Sequence, residues 1–432
     1  MASDTIFALA TPPGKSGVAV LRISGKGALP TLQQLTGKRE WTPNKLTYSP
    51  LTTQHSALID HGMAVYFKAP KSFTGEEVVE LHIHGSLAVI RELLGILESL
   101  PGLRPAERGE FTRRALLNGK MDLLEVEGLA DLIDAETSEQ KSQALRQLQG
   151  ELSGFYERLR KEIIATLAHL EAYIDFPDEE IPESVLLGMD KEVRAVMQTI
   201  AATLEKHADG ERIRNGISIV ILGAPNSGKS SLINALSKRE AAIVSHHAGT
   251  TRDLIEVHME IAGYPVILVD TAGIRESDND IEAEGIRRAI ARAEHADIRL
   301  VLFDGTQAPD AASLRLLGEG AIAVSTKSDL KKGGQGLAIS TQTGEGISEL
   351  LTLLETRIVE SFSGEGALIT RSRHRGLLQQ ASRHLEAFFE PAELELKCEE
   401  LRLAAGSIAK ITGKIAVDDV LDVVFREFCI GK

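Results

Sequence analysis

Gly223-Ala224-Pro225-Asn226-Ser227-Gly228-Lys229-Ser230-Ser231 fits the phosphate-loop pattern G-x-x-x-x-G-K-[ST]. An apolar, strand-like run (217–222) precedes it, and a helix-like segment (231–236) follows it. In such a unit, backbone N–H groups and a helix N-terminus face the phosphates of a nucleotide. We therefore expect Lys229 to reach the β- and γ-phosphate oxygens and the Ser230 hydroxyl to bind Mg²⁺. The alternative, a glycine-rich turn that matches by chance, is disfavoured by this context.

Two further motifs indicate that the bound base is guanine. The apolar run 266–269 leads into Asp270-Thr271-Ala272-Gly273, where a P-loop GTPase places its Mg²⁺-side aspartate and a glycine at the γ-phosphate. The run 321–325 leads into Thr326-Lys327-Ser328-Asp329, which fits [NT]-K-x-D. The Asp329 carboxylate can accept hydrogen bonds from N1–H and the exocyclic amine of guanine, and adenine offers no such donor pair. These motifs predict a guanine nucleotide-binding domain over 211–374.

Thr326 stands where asparagine is commoner, so we expect weaker packing of this loop and a modest affinity for GTP. Ser340-Thr341-Gln342 lies where such domains place the loop that contacts the guanine oxygen. The predicted GTP-binding residues are Asn226, Ser227, Gly228, Lys229, Ser230, Ser231, Ser245, Thr250, Thr251, Asp270, Thr271, Ala272, Gly273, Thr326, Lys327, Asp329, Ser340, Thr341 and Gln342.

The predicted switch region runs over 245–253, and Thr251 is its natural second hydroxyl ligand to Mg²⁺. Gly249-Thr250-Thr251-Arg252-Asp253, together with Asn226, resembles one branch of GTPases, the tRNA-modification, ribosome-assembly and ferrous-iron-transport group. After Gly273 comes Ile274, where Ras-type GTPases carry the glutamine that orients the attacking water. Isoleucine cannot polarise water, so we expect slow intrinsic hydrolysis until another residue or subunit helps.

Composition narrows the remaining functions. A chain of 432 residues is long enough for two or three domains. No apolar span approaches membrane length, which argues against an iron transporter and predicts no membrane contact. The N-terminal residues lack the features of a signal or transit peptide. With only two cysteines, Cys398 and Cys429, we expect no disulfide framework and a reducing, cytoplasmic compartment.

The net charge of −14 predicts an acidic surface that repels a nucleic-acid backbone. Aromatic residues make up only 4% of the chain, so no base-stacking platform is evident. If the protein acts on RNA, we expect a partner to hold most of that RNA.

Outside the GTPase segment, residues 1–118 mix short strand-like runs with a helix near 86–99. The pattern becomes helical from about 120 and again over 375–432, with a weak point expected at Gly154 and a break at Pro177. The predicted fold is α/β and α, with an N-terminal α+β domain (1–118), a discontinuous helical domain (119–210 and 375–432) and an inserted Ras-like P-loop GTPase domain (211–374).

Several stretches outside the GTPase motifs are specific. They include Asp4-Thr5-Ile6, Leu21-Arg22-Ile23-Ser24-Gly25, Ser72-Phe73-Thr74-Gly75-Glu76, Gly109-Glu110-Phe111, Asn118-Gly119-Lys120, Ile174-Asp175-Phe176-Pro177-Asp178-Glu179-Glu180-Ile181 and Cys429-Ile430-Gly431-Lys432. Through them the whole chain resembles the MnmE (TrmE) family of tRNA modification GTPases. The resemblance implies a homodimer that works with a FAD-dependent partner (MnmG or GidA), which uses NADH and holds most of the tRNA. It also implies the product, a carboxymethylaminomethyl or aminomethyl group at C5 of the wobble uridine.

The resemblance makes the N-terminal domain the dimerisation and folate-binding domain. The one-carbon donor is a tetrahydrofolate derivative, in its 5-formyl or 5,10-methylene form. By residue match the folate contacts are Arg22, Glu80, Lys120 and Lys432. The alternative is that Arg22 and Lys120 are ordinary surface cations and that Glu80 faces solvent.

The resemblance also implies which groups replace the water-orienting glutamine and supply the positive charge that an arginine finger supplies in other GTPases. Glu282 matches a catalytic glutamate that positions the water, and its alternative is an ordinary charge at a helix start. A K⁺ ion is implied beside the phosphates, completed when two GTPase domains dimerise. Its implied ligands are Asn226, Ser245, His247 and Thr250. Asn226 could instead stabilise a turn, and Arg252 or Arg275 would be the candidates for an arginine finger.

Three other features remain open. Cys429 is either a reactive thiol near the one-carbon unit or a buried thiol that packs the C-terminus. His82-x-His84 is favoured as a polar strand face over a metal site, and the carboxylates of 175–180 as a solvated turn. The alternative function is that of a GTP-dependent ribosome-assembly factor without one-carbon chemistry. Such a factor would carry a basic RNA-binding appendage, and the sequence shows none.

Overall fold

The computed structural model describes residues 4–175, 183–239, 255–270, 296–318, 320–331, 333–362, 368–391 and 393–415, with Phe425, Phe428 and Gly431. These residues fold into two compact units. Unit 1 comprises Met1–Ala130, Gln147–Arg160 and Gly406–Lys432, and unit 2 comprises Asp131–Arg146 and Lys161–Ala405. In the described part of the chain, no helix is long and apolar enough to cross a membrane.

The strands are β1 (Thr5–Leu9), β2 (Ser16–Ser24), β3 (Thr47–Thr52), β4 (Leu58–Phe67), β5 (Val78–Gly85), β6 (Leu103–Pro105), β7 (Ile217–Gly223), β8 (Ile255–Ile261), β9 (Tyr264–Asp270), β10 (Ile298–Asp304), β11 (Ala321–Thr326) and β12 (Leu337–Ala338). The helices are α1 (Ala28–Thr36), α2 (Leu87–Ser99), α3 (Glu110–Leu117), α4 (Leu123–Asp134), α5 (Ser138–Leu148), α6 (Glu151–Asp175), α7 (Glu183–Glu205), α8 (His207–Asn215), α9 (Lys229–Arg239), α10 (Ala311–Arg315), α11 (Ile347–Glu360), α12 (Ser372–Ala387) and α13 (Leu394–Thr412).

The sheet of unit 1 has the strand order β3-β4-β5-β2-β1-β6, with β1 and β6 parallel and the other neighbours antiparallel. One face packs against α1 and α2, and Leu21 and Leu81 lie in that core. The opposite face carries Ala8, which packs with Phe111 of α3. Because side chains alternate along a strand, Arg22, the partner of Ala8 in the register, lies on this second face.

Helical residues complete unit 1. Leu123 and Val126 of α4 share a buried cluster with Phe425 and Phe428. Lys414, just after α13, forms an ion pair with Glu157 of α6 with a nitrogen–oxygen distance of 2.7 Å. Within unit 1, residues of the early and late helical stretches therefore pack together, and the single discontinuous helical domain stays a prediction.

The sheet of unit 2 has the order β12-β11-β10-β7-β9-β8, parallel except for β8, which is antiparallel to β9. Apolar clusters cover both of its faces. The predicted buried strands at 217–222, 266–269 and 321–325 are confirmed as β7, β9 and β11. Because β7, β10 and β11 are parallel neighbours, the loops that follow them lie at one edge of the sheet.

One carboxylate in unit 2 links the two ends of the segment that contains this sheet. Asp131 Oδ1 accepts hydrogen bonds from Arg214 Nε (2.9 Å) and from Arg371 (2.7 Å). Arg214 lies shortly before β7 and Arg371 directly before α12. The backbone N–H of Glu139 also donates to Gly263 O in the β8–β9 turn. These bonds hold the GTPase segment to residues 131–146 within this unit.

Two sequence expectations about helices need correction. Gly154 lies inside the continuous helix α6, where its N–H donates to Gly150 O, so the weak point predicted there is wrong. Helices α8 and α12 cross the predicted limits at 210 and 375, because α8 continues to Asn215 and α12 begins at Ser372. Pro177 lies outside the described residues.

Candidate functional site

The phosphate loop joins β7 to α9, as predicted. Gly223 has a φ of +145°, and a Cβ there would lie 2.4 Å from Leu302 O, so only glycine fits. Asn226 has a φ of 60°, in the left-handed region that asparagine tolerates better than most residues. Its side chain is exposed beside the helix N-terminus. The loop thus presents backbone and amide groups where an anion would bind.

The Lys229 side chain folds back towards the start of the phosphate loop. Its Nζ donates to Gly223 O (2.8 Å) and to Ala224 O (2.9 Å). The side chain is 8% exposed, and this burial lowers the pKa of Lys229, while the charge of Asp270 opposes the shift. The Lys229 ammonium is therefore already held at the phosphate loop. A bound nucleotide would only have to replace the two loop carbonyl oxygens with phosphate oxygens as its hydrogen-bond partners.

Ser230 and Asp270, the two residues predicted on the Mg²⁺ side of the site, are hydrogen-bonded to each other. The Ser230 hydroxyl donates to Asp270 Oδ2 at 2.9 Å, and Asp270 is buried at the end of β9. Hydroxyl and carboxylate oxygens are the hard ligands that Mg²⁺ prefers, so the donor set fits this ion. Among the described residues no group of three or more His, Cys, Asp or Glu could hold another metal.

Thr326 ties the base-recognition loop to the phosphate loop. Its hydroxyl lies 2.8 Å from Ser227 O and 3.2 Å from Phe303 O, and the residue is buried. Threonine thus forms two hydrogen-bond contacts at this position, and the weaker packing relative to asparagine stays a prediction. The modest GTP affinity stays a prediction.

Asp329 is exposed and oriented by the third predicted loop. Its Oδ1 accepts a hydrogen bond from the Ser340 hydroxyl at 2.6 Å. Ser340 is fully buried, and its Oγ also accepts from the N–H groups of Gln342 (3.3 Å) and Thr343 (3.2 Å). The structure thus brings the predicted guanine-binding residue and the loop over 340–342 into direct contact.

Arg22 and Glu80 face each other across β2 and β5 in unit 1. Arg22 Nε donates to Glu80 Oε1 at 3.0 Å, and its guanidinium lies near the rings of Phe73 and Phe111. It also contacts Gly431 O at 3.5 Å, so the end of the chain reaches this face. Each of the two side chains is 18% exposed; the Glu80 carboxylate fits the amide-like donor edge of a pterin, and the Arg22 guanidinium fits a carboxylate of the glutamyl tail.

Lys120 is exposed and donates from Nζ to Pro70 O at 3.1 Å, rather than to the Arg22–Glu80 pair. The two histidines of β5 have separate partners: His82 lies 3.4 Å from Glu80 Oε2, and His84 Nδ1 lies 2.8 Å from Asp60 Oδ1. Burial alone would raise the pKa of Asp60, but hydrogen bonds from the backbone and side chain of His84 outweigh burial and lower this pKa. The histidines therefore do not meet, which agrees with a polar strand face.

Some predicted residues lie outside the described ranges. They are Ser245, His247, Thr250, Thr251, Arg252, Thr271, Ala272, Gly273, Arg275, Glu282, Cys429 and Lys432, with 176–180.

Asp304, by contrast, is a described residue of the site that the motifs did not identify. Its carboxylate accepts a hydrogen bond from Lys327 Nζ at 2.6 Å. The signal that could have found it is an apolar strand (298–303) that ends in Asp-Gly.

Comparison with known proteins identifies the family. The sequence profile of the MnmE helical domain matches residues 123–429, and that of the GTP-binding protein TrmE N-terminus matches 5–120. The tRNA modification GTPase MnmE of Paramagnetospirillum magneticum is 48% identical, and those of Rhodospirillum rubrum and Parvibaculum lavamentivorans are each 47% identical. The alignments cover 99–100% of this chain and 100% of each relative.

Among solved structures, the chain is similar to the G domain of the T. maritima FeoB iron transporter, with 27% identity, 33% of this chain and 97% of that chain covered, and a TM-score of 0.25. That score is too low to support a structural conclusion. The family assignment rests instead on the two profiles and on the identity over the full length. The chain belongs to the MnmE family of tRNA modification GTPases.

Proposed function

We propose that this protein hydrolyses GTP as one component of a complex that modifies tRNA. The observation that carries the nucleotide part is the meeting of the phosphate loop, Thr326 and the Asp329–Ser340 pair at one edge of a parallel sheet. Ligands bind in α/β sheets at the carboxyl ends of the strands, where these residues lie. The tRNA part is supported by relatives that are named tRNA modification GTPases and align over the full chain.

In this proposal each described residue has one task at the nucleotide. Lys229 exchanges its carbonyl partners for phosphate oxygens, Asp329 binds the guanine edge, and Ser230 holds Mg²⁺ with Asp270 behind it. Bound Mg²⁺ neutralises the charge that develops on the phosphates. Thr251, which lies outside the described residues, is the second hydroxyl ligand.

The N-terminal sheet is proposed to bind a tetrahydrofolate derivative. In this proposal Glu80 accepts hydrogen bonds from the pterin ring of the folate. Arg22 and Lys120 pair with the carboxylates of the glutamyl tail of the folate, and Lys432 reaches the same site from the end of the chain. The contact between Arg22 and Gly431 O supports the last assignment. The folate would supply a one-carbon unit, the FAD-dependent partner would supply electrons from NADH, and an amine or ammonia would supply the nitrogen of the product. The proposed product is carboxymethylaminomethyl or aminomethyl uridine at the wobble position.

Mass-spectrometric analysis of tRNA from a strain that lacks the gene tests this function. We expect the C5-modified wobble uridine to disappear and to return when the wild-type gene is restored. A Glu80→Ala gene should fail to restore it, although the purified variant still hydrolyses GTP. Unchanged tRNA combined with a ribosome-assembly defect would instead identify the alternative GTP-dependent assembly factor.

Hydrolysis is proposed to require K⁺ and a second copy of the chain. Ile274 cannot orient water, and the described phosphate loop contains no arginine. The amide oxygen of Asn226 is an exposed, hard ligand next to the phosphates, which suits K⁺. Ser245, His247 and Thr250 are the remaining proposed ligands, and dimerisation of two GTPase domains across their switch regions completes the site.

We expect GTP turnover to be at least about tenfold faster in K⁺ than in Na⁺ at equal ionic strength, since a correctly placed cation stabilises developing charge. Dimerisation with GDP and aluminium fluoride, measured by analytical ultracentrifugation, should show the same preference. Asn226→Ala should remove the difference, whereas Asn215→Ala is a matched control outside the loop. Stimulation of the Asn226→Ala variant by K⁺ would exclude the proposed ligand.

A further inference from the structure

The ends of strands β10 and β11 are closely joined beside the base-recognition loop. Asp304 and Thr326 are partners in the parallel register. The Gly305 N–H donates to Thr326 O at 3.0 Å, and a Cβ on Gly305 would lie 2.6 Å from that oxygen. Because glycine permits this close approach, the residue before it is held next to Lys327.

Hydrogen bonds from described residues to both oxygens of the Asp304 carboxylate fix its orientation. Its Oδ1 accepts from the N–H (2.9 Å) and the hydroxyl (2.6 Å) of Thr306. Its Oδ2 accepts from Lys327 Nζ at 2.6 Å and from Gln307 Nε2 at 3.4 Å. The bonds from Lys327 and Thr306 lower the pKa of Asp304 to about 2. The carboxylate is therefore charged and pre-oriented at every physiological pH.

Lys327 is constrained at both of its ends. Its backbone has a φ of 61°, a conformation that non-glycine residues adopt mainly where surrounding contacts enforce it. The Leu330 N–H donates to its carbonyl oxygen at 3.0 Å. Its ammonium is bound by Asp304, and yet the side chain stays 37% exposed. The aliphatic stem of Lys327 is therefore held between a fixed backbone and a fixed ammonium, two positions before Asp329 in the chain.

We propose that Asp304 is a positioning residue for guanine nucleotides: it holds the Lys327 ammonium so that the aliphatic stem of Lys327 forms a preformed wall of the base site. Methylene groups of lysine commonly cover apolar surface while the ammonium keeps a polar partner. A free lysine side chain would lose its rotamer freedom when the base binds, and Asp304 removes this cost in advance. This proposal rests on the guanine-binding role proposed above.

Binding of fluorescent GDP and GTP to the full-length protein tests it. We expect Asp304→Asn to raise the Kd of both nucleotides about tenfold, mainly through faster dissociation, which corresponds to about 1.4 kcal/mol. The ratio of GTP to XTP affinity should not change, because Asp304 acts on the wall and not on the base edge. The difference from wild type should stay constant from about pH 6 to about pH 8, far above the pKa of an aspartate.

Two comparisons separate this role from a purely structural one. In a Lys327→Ala background Asp304→Asn should have no further effect on Kd, because the two residues act through one contact. The matched control is Asp310→Asn, which changes an aspartate that caps α10. Additive losses in the double variant, or an unchanged Kd for Asp304→Asn with an unchanged melting temperature, would overturn the proposal. A failure of the guanine site itself would appear separately, as an Asp329→Asn variant with unaltered base preference.

Discussion

Asp329→Asn is expected to convert the protein from a guanine-binding to a xanthine-binding one. In the proposed complex the Asp329 carboxylate accepts hydrogen bonds from the N1–H and the exocyclic amine of guanine. The carboxamide of asparagine would turn an NH₂ group, itself a donor, towards these two donors. We expect GTP affinity to fall at least about 100-fold, since a lost charged hydrogen bond and an unpaired donor cost about 3 kcal/mol together. XTP carries an acceptor in place of the exocyclic amine, so its affinity should rise above that of GTP.

The Ser340 contact explains why this change should act on specificity and not on the fold. The Ser340 hydroxyl donates to Asp329 Oδ1, and an amide oxygen can accept the same hydrogen bond. The introduced NH₂ group would then occupy the position of Oδ2. Competition binding with GTP, XTP and ATP measures the effect, with Ser340→Ala as the matched comparison. That variant should weaken GTP binding without favouring XTP, and a wild-type protein that binds ATP as tightly as GTP would contradict the assignment.

Glu282→Ala is expected to bind GTP normally and to lose most of its turnover. Asp270 is buried and accepts a hydrogen bond from Ser230, so this carboxylate already has a partner and is not the group proposed to position the water. Ile274 offers no polar atom for the attacking water. If Glu282 positions that water, its removal should lower kcat about 100-fold or more, the usual range for a lost general base or water-orienting group.

Single-turnover hydrolysis, measured at saturating GTP and in K⁺, separates this chemical step from product release. Glu284→Ala is the matched control, because it removes a carboxylate two positions further along the same segment. It should leave kcat within about twofold of the wild type, since no role at the nucleotide is proposed for it. Equal turnover in the Glu282→Ala and wild-type proteins would assign the water to another group.

Parts of the site could be predicted because their chemistry is local. The glycines, Lys229 and Ser230 belong to one strand–loop–helix unit, and each apolar run that precedes a motif is a strand of the same sheet. The two helical stretches were recognised from their periodicity, and they do pack together. Gly154 was misjudged because the helix propensity of glycine is a weak effect that packing of the surrounding helix overrides.

What the sequence determined by itself was therefore the GTPase family, and it also predicted the residues that bind the nucleotide. Only the tertiary structure decided the long-range partners. Arg22 meets Glu80 through strand register, Asp304 holds Lys327 because β10 and β11 end side by side, and Asp131 binds Arg371 across 240 positions. The pairing of these residues leaves no periodic or motif signal, even where a single member does, since it arises from the three-dimensional arrangement of elements and not from spacing along the chain.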